Sequence, residues 1–431
     1  MRNKAIYSSF FILHFSLLLL AACTPSSKND QAFFDDNIRF AAQQTEYMLS
    51  QVCTPDTFIN PRTLNADGSV RGIGIYDWCS GFFAGTLWEL YELTGDEKWR
   101  PIAERYTEAL DRVQYYTDNH DVGFMMGDSY GQGRRILAGD KSFGYGPKDG
   151  EIVNSKSSSQ IVNSKSLNSK YTEVLINTAR SLCKRYVPEA GVIRSWGRIG
   201  GKQVSVIIDN MMNLELLFEA SRLSGDDSFR QIAITHADNT LKNHFRPNGS
   251  CYHVLEYDAA TGRVLSKHTN QGFADESAWS RGQSWAVYGF TLMYRYTRDK
   301  KYLDQALRTF AFLRDHPDRT DDLVPWWDMD APAGTGSRTE ERDASSAAVL
   351  SSALYELATY VSPRQRKELR AYADGLLTAL ASPAYRAEVG SNGGFLLMHS
   401  VGSKPHHAEV DVPLCYADYY FLEALTRKMR L

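Results

Sequence analysis

The sequence has no cysteine pairs with motif spacing, no strong excess of one charge and few long apolar runs. Five cysteines follow Cys23, scattered between Cys53 and Cys415 with no Cys-x-x-Cys pair. This distribution is poor evidence for a metal site, and we expect mostly small buried side chains, with one disulfide left open. A net charge of −3 over 431 residues argues against a nucleic-acid partner, which would need a basic face.

The long apolar run lies at the N-terminus. Arg2 and Lys4 precede apolar residues as far as Leu20, and Ala-Ala-Cys follows at 21–23. Small residues directly before a cysteine predict a lipoprotein signal peptide at 1–22, lipid attachment at Cys23 and a tether at 23–30. The alternative is an ordinary signal peptide with an incidental cysteine. We expect an exported protein anchored to the bacterial outer membrane, with the periplasmic side favoured.

A local pattern recurs along the rest of the chain: an apolar helix, a short turn with Gly-Asp or an equivalent, and a second helix. Gly is typical after a helix, Asp of the position that caps the next helix, and Pro of its first turn. Copies of the turn are Gly95-Asp96, Gly139-Asp140, Gly225-Asp226, Arg298-Asp299 and Ser362-Pro363. The pattern predicts twelve helices, at 31–51, 80–94, 96–115, 124–138, 169–187, 209–224, 226–243, 277–297, 299–315, 343–361, 363–382 and 411–428.

Six hairpins that close on themselves predict an all-α fold, the (α/α)6 toroid, in a single domain spanning 31–431. The connections between hairpins are longer than the turns within them, and they cover 52–79, 188–208, 244–276, 316–342 and 383–410. Turns and connections must alternate between the two ends of the ring. The long connections therefore gather on one face, where a rigid scaffold can carry a site.

One segment, 144–170, does not fit the hairpin pattern. It is rich in Gly, Ser, Lys and Asn, and the six residues at 152–157 return unchanged at 161–166. Such composition predicts a mobile insertion within a short turn, on the face away from the site and without a catalytic role.

Two acidic motifs could carry chemistry, one around Asp121 and one around Asp209. Asp209 follows Val206, Ile207 and Ile208, so a carboxyl facing the site would be partly desolvated and kept protonated, as a general acid requires. With about equal weight, Asp209 could simply cap the helix that begins there.

Other polar residues allow two interpretations. Arg281 and Trp285 lie four residues apart, on one helix face, where they could clamp a sugar carboxylate or pack in a core. Ser400, Ser403 and Lys404 could bind an anion or be solvated loop residues. The histidines show no ligand spacing, which makes a metal site unexpected.

Six ordered motifs together resemble the unsaturated glucuronyl hydrolases, over nearly all of the mature chain. The resemblance breaks at 144–170, where that family has a short turn. The motifs are Trp78–Phe83, His120–Phe124, Ile208–Asn213, Trp279–Trp285, Val324–Asp328 and Glu409–Tyr420.

The resemblance implies a hydrolase that removes a C4=C5 unsaturated uronate from lyase-cut saccharides, with glycosaminoglycan-type disaccharides favoured. It implies that Asp209 protonates C4 and then takes a proton from the water that adds at C5. Asp121 would be the second carboxylate, and no metal or cofactor is needed. It implies substrate contacts at Trp78, His120, Trp196, His253, Gln271, Arg281 and Trp285, and a slight preference for sulfated sugars through Ser400, Ser403 and Lys404.

Two alternatives remain. A related toroid enzyme would release unsaturated galacturonate from pectic fragments; the match from Gly393 to Tyr420 disfavours it. A lipoprotein that binds glycans without catalysis would have no use for acids at both 121 and 209. The oligomeric state is not predicted from the sequence.

Overall fold

The computed structural model describes residues 28–52, 59–142, 158–332 and 341–431. The predicted signal peptide, the predicted lipid attachment at Cys23 and residues 24–27 of the predicted tether lie outside these ranges, so those predictions stay untested. Residues 28–30 of the predicted tether instead belong to the first helix.

Helices dominate the described residues. The thirteen α-helices within these ranges are α1 Lys28–Val52, α2 Phe82–Thr94, α3 Trp99–Glu108, α4 Val122–Met126, α5 Gln132–Leu137, α6 Ser158–Cys183, α7 Asn210–Ser224, α8 Asp227–Asn243, α9 Ser280–Thr297, α10 Lys300–Asp315, α11 Ala344–Leu357, α12 Pro363–Leu380 and α13 Cys415–Met429.

The helices form two concentric rings. The inner ring contains α2, the α4–α5 segment, α7, α9, α11 and α13, each packed on the next, and α13 packs back on α2. Inner helices are buried on all sides, as over Ser280–Met293 of α9. Outer helices bury one stripe at helical spacing, such as Tyr302, Ala306 and Phe310 of α10. The predicted toroid of helical hairpins is confirmed.

The hairpin turns follow the predicted chemistry. Gly95 and Gly225 end α2 and α7 in the left-handed region, at φ 65° and 75°. The Asp226 carboxylate accepts a hydrogen bond from the Ser228 amide at 2.9 Å, which caps α8. Pro363 occupies the first turn of α12.

Several predicted helices are shorter or interrupted. The helix expected at 169–187 ends at Cys183, because Tyr186–Val187 pairs with Val192–Ile193 as a strand. The helix expected at 343–361 ends at Leu357, and a 3-10 turn follows. The helix expected at 124–138 contains a π-helical turn at Gly127–Gly131, where glycines at both ends weaken the α-helical preference. The helix expected at 96–115 ends at Glu108, and a 3-10 turn follows. The helix expected from 411 begins at Cys415, because the preceding residues pair as a strand and Pro413 intervenes.

Short antiparallel strands stiffen the long connections, and the sequence patterns did not predict them. Gln203–Ile207 (β5) pairs with Val254–Asp258 (β6), which pairs with Val264–His268 (β7). The remaining strands form two-stranded ribbons: Asn60–Leu64 (β1) with Val70–Ile73 (β2), Tyr186–Val187 (β3) with Val192–Ile193 (β4), and Ser400–Ser403 (β8) with Ala408–Val412 (β9).

The predicted insertion at 144–170 is partly wrong. Residues from 158 onward belong to α6, because the stretch from 151 lacks Gly and Pro and extending an existing helix costs little. Residues 143–157 lie outside the described ranges, so for them the prediction stays untested.

The cysteines of the described ranges are unpaired. Cys79, Cys251 and Cys415 are buried and Cys183 is half-buried, as expected of small apolar side chains. Among the described helices none combines the length and apolar character needed to span a bilayer.

Candidate active site

The two candidate acids stand directly before inner helices, Asp121 before α4 and Asp209 before α7. Neither side chain caps its helix, so the capping alternative for Asp209 is wrong. Each side chain is 13% exposed. Asp209 Oδ2 is buried without a hydrogen-bond partner, which is costly unless the group serves another purpose.

Both carboxyls hold protons more tightly than ordinary aspartates. Burial raises the pKa of Asp209 to about 7, helped by the negative charge of Asp121 and opposed by Arg281. Burial also raises the pKa of Asp121 to about 7, against hydrogen bonds from Asn213 and Asn119. A carboxylic acid that stays protonated near neutral pH can act as a general acid.

His253 faces Asp209 in a fixed tautomer. Its Nδ1 accepts hydrogen bonds from the backbone amides of Asn270 and Gln271, at 3.1 and 3.2 Å, so the ring proton resides on Nε2. Nε2 lies 3.9 Å from Asp209 Oδ2, and neither atom has a partner. The ring packs on Trp279 at 4.5 Å. Burial lowers the pKa of His253, so the ring is a neutral donor.

Asn213 organises the second acid. Its Oδ1 accepts from the Phe124 amide at 2.9 Å, which directs its Nδ2 towards Asp121 Oδ1, 3.5 Å away, and His120 Nδ1, 3.4 Å away. His120 Nε2 then faces Asp121 Oδ1 at 3.3 Å. A Cβ on Gly123 would stand 2.4 Å from Asn213 Oδ1, so this arrangement needs glycine at position 123.

The three tryptophans predicted to contact substrate differ in how far they are buried. Trp78 is half-buried and its ring lies 4.9 Å from that of Tyr416. Trp196 is half-buried at the edge of β5. Trp285 is fully buried, with its ring 5.2 Å from that of Phe124, and its contact with a sugar stays a prediction.

Arg281 lies in the interior, with 1% of its surface exposed. Its guanidinium pairs with Asp343 at 2.9 Å and donates to the backbone oxygens of Val401 and Gly402. Gln271 donates to the same Gly402 oxygen at 2.8 Å. Both side chains therefore fix the β8–β9 ribbon, and direct contact of either with a sugar stays a prediction.

The β8–β9 ribbon carries the predicted anion-binding residues. Ser400 is buried with an unpartnered hydroxyl. Ser403 Oγ lies 2.7 Å from His406 Nδ1. Lys404 forms an ion pair with Glu341, which places a negative charge opposite the predicted sulfate-binding amine.

Sequence reasoning missed several positioning residues. Asn213 lies one helical turn after Asp209, a polar residue in an apolar helix, which was a usable signal. The Asp343 carboxylate caps α11 by accepting a hydrogen bond from the Ser345 amide at 3.1 Å. It also forms the ion pair with Arg281, and nothing in the local sequence of Asp343 indicated this second role. The Glu409 carboxylate accepts hydrogen bonds from the Arg62 guanidinium at 2.5 and 2.9 Å. The two residues are 347 positions apart in the sequence, so no local pattern predicts this ion pair.

Within the described ranges no group of three or more His, Cys, Asp or Glu side chains is placed to hold a metal ion. The expected independence from metals and cofactors stays a prediction.

Searches for similar proteins found no matching family model, but they found full-length relatives. An unsaturated glucuronyl hydrolase of Formosa agariphila is 41% identical over 86% of this chain and 85% of its own length. An unsaturated chondroitin disaccharide hydrolase of Streptococcus agalactiae is 32% identical over 89% of this chain and 87% of its own length.

A solved structure of an unsaturated glucuronyl hydrolase specific for heparin has the same fold. It superposes with a TM-score of 0.80 at 40% identity, covering 93% of this chain and 98% of the other. With relatives this similar along nearly their whole lengths, and with two proton-holding aspartates at the site, the chain belongs to the unsaturated glucuronyl hydrolase family.

Proposed function

We propose that the protein hydrolyses the unsaturated uronic acid from the non-reducing end of lyase-generated oligosaccharides, with Asp209 as general acid and base. One observation carries the proposal: Asp209 Oδ2 is buried and unpartnered while its carboxyl has a pKa of about 7. A structural aspartate would have its hydrogen bonds satisfied.

The chemistry follows from a proton on Asp209. The carboxyl protonates C4 of the C4=C5 enol ether, and positive charge develops at C5 and the ring oxygen. The resulting carboxylate takes a proton from water as the water oxygen bonds to C5. The hemiketal then opens and releases the remaining sugar. His253 cannot take the proton instead, because its Nδ1 faces two backbone donors and its Nε2 already carries hydrogen.

Ultraviolet absorbance tests the reaction, because the conjugated uronate absorbs and its hydrated product does not. Wild-type protein should remove the absorbance of an unsaturated glycosaminoglycan disaccharide. Asp209→Asn should abolish turnover while the fold and most of the binding persist. Asp226→Asn, an isosteric change at an exposed helix cap, is the matched control. Normal turnover by Asp209→Asn would refute the role, and binding without absorbance loss in wild type would favour a non-catalytic glycan receptor.

The substrate class is proposed as sulfated or unsulfated glycosaminoglycan disaccharides, supported by the relatives named for heparin and chondroitin products. A panel of defined disaccharides, including an unsaturated galacturonyl-rhamnose, separates this class from pectic fragments. Preference for the pectic substrate would overturn it.

We also propose that the mature protein is lipid-anchored through Cys23, on the periplasmic side of the outer membrane. Support comes from the Leu-Ala-Ala-Cys sequence at 20–23. Cys23→Ser should move the protein from the membrane to the soluble fraction. Degradation by protease added to intact cells would place it on the outer surface instead.

A further inference from the structure

Two tyrosines form an aromatic surface beside the site, and no role has been given to them so far. The rings of Tyr76 and Tyr116 lie 4.8 Å apart at an angle of 37°. Tyr76 is 47% exposed and Tyr116 is half-buried. A paired, solvent-facing aromatic surface is well suited to stacking against the apolar face of a sugar ring.

The chain connects both tyrosines directly to the site. Tyr76 is two residues before Trp78, and Tyr116 is four residues before His120. The His120 amide donates to the Ser195 oxygen at 3.1 Å, which joins the segment after Tyr116 to the segment before Trp196. The tyrosine pair therefore belongs to the two chain segments that lead into Trp78 and His120.

The backbone under both rings is held rigidly. The Ser80 hydroxyl donates to the Ile75 oxygen at 2.9 Å, and Asp77 accepts from Arg62 at 2.7 Å. On the other side, Arg185 donates to the Thr117 oxygen and, at 3.1 Å, to the Gly197 oxygen. This last contact ties the Tyr116 segment to the loop that carries Trp196. A fixed platform costs little conformational entropy on binding.

The surrounding charge indicates which sugar would fit. Asp118 is exposed and would repel a carboxylate or sulfate, whereas the charge of Asp77 is offset by its ion pair with Arg62. The guanidinium of Arg185 is occupied by three backbone oxygens, and that of Arg62 by Asp77 and Glu409.

We propose that Tyr76 and Tyr116 form an outer subsite that stacks on an uncharged sugar ring, at least the third from the unsaturated end of the substrate. This inference rests on the proposed function for the location of the first two sugars. It gives the enzyme a preference among long substrates that a disaccharide assay does not show.

Steady-state kinetics with two substrates test the proposal: an unsaturated disaccharide, and an unsaturated tetrasaccharide whose other three sugars are neutral. Tyr76→Ala combined with Tyr116→Ala should lower kcat/KM for the tetrasaccharide about tenfold, mainly through KM. Loss of an aromatic stacking contact typically weakens binding by about that factor. The disaccharide constants should change less than about twofold, by the same reasoning.

Two further variants sharpen the test. Tyr76→Phe keeps the ring and should behave as wild type. Tyr115→Ala, which removes a neighbouring ring that is 67% exposed, should affect neither substrate. Equal losses on both substrates would mean that the pair only supports the fold, and no loss on the tetrasaccharide would also overturn the subsite.

Failure of the proposed function is visible separately, as absent disaccharide turnover in the wild type. In that case, calorimetric binding of the two saccharides to wild type and to the double variant decides the inference. Equal affinities of the two proteins for the tetrasaccharide would overturn it.

Discussion

At the scale of single residues, the site is defined by acids that keep their protons and by a histidine that cannot take them. Asp209 and Asp121 have pKa values near 7, whereas burial lowers the pKa of His120 to about 3. Burial favours the neutral form in each case. Of these groups, only the two carboxyls are therefore suited to exchanging a proton near neutral pH.

The pH profile should follow the protonated fraction of Asp209. We expect kcat/KM to fall as the pH rises through about 7, because the acid is then ionised before substrate binds. Asp121→Asn removes the neighbouring negative charge and should move this alkaline limb to lower pH, alongside a lower rate. A limb that stays in place would contradict the coupling between the two acids.

The same raised pKa predicts a cost in stability. An aspartate with a folded pKa near 7 and an unfolded pKa near 3.8 binds more protons when folded, so its destabilising effect grows as pH rises between these values and is complete above them. Asp209→Asn should raise the free energy of unfolding at pH 8, by up to about 4 kcal/mol, and change it little at pH 4. Chemical denaturation at both pH values measures this; equal effects would contradict it.

At the scale of elements, close packing between α4 and α7 sets the position of Asp121. Gly123→Ala should displace Asn213, since the new Cβ would contact its amide oxygen and backbone, and turnover should fall by at least about tenfold as geometry is lost. Gly74→Ala, with open space around the position, is the control. Near-normal activity of Gly123→Ala would show that Asn213 is dispensable.

The β8–β9 ribbon gives a second prediction at this scale. Glu341→Gln removes the negative charge opposite Lys404 and should raise kcat/KM for sulfated relative to unsulfated disaccharides. A rise of about threefold to tenfold corresponds to the usual strength of a partly exposed charge pair. An unchanged ratio would exclude Lys404 from substrate selection.

Hairpins and turns were predictable, because they depend on local periodicity and capping residues. The Asp226 cap and Pro363 are such cases. The burial of Asp209 was predictable from the three aliphatic residues before it, and its catalytic role stays a prediction. The strands in the connections were not predictable, since runs as short as Tyr186–Val187 form only when tertiary contacts supply a partner. The burial of Arg281 depends on Asp343 and the Gly402 oxygen, which are distant in sequence.

At the scale of the whole molecule, a buried ionic network joins four inner helices. Arg295 of α9 pairs with Glu215 of α7 and with both oxygens of Glu356 in α11. Arg427 of α13 approaches Glu356 at 3.3 Å. The network lies at the turn end of the ring, away from Asp209.

Breaking this network should loosen the ring without changing the chemistry. Glu356→Gln should lower the free energy of unfolding by about 3–5 kcal/mol, because two guanidiniums lose a buried partner. Glu97→Gln, on the exposed side of Tyr91, is the control. Calorimetry measures stability and the absorbance assay measures kcat, which should stay within about twofold; a large fall in kcat would contradict the separation of the two ends.

The concentric arrangement has an electrostatic consequence. The inner helices α4, α7 and α9 start directly after Asp121, directly after Asp209 and next to Arg281, so their peptide dipoles direct partial positive charge towards the site. A molecule with a net negative charge can in this way still attract an anionic sugar acid to its entrance. Adding salt should therefore slow the capture of substrate more than it slows its conversion once bound.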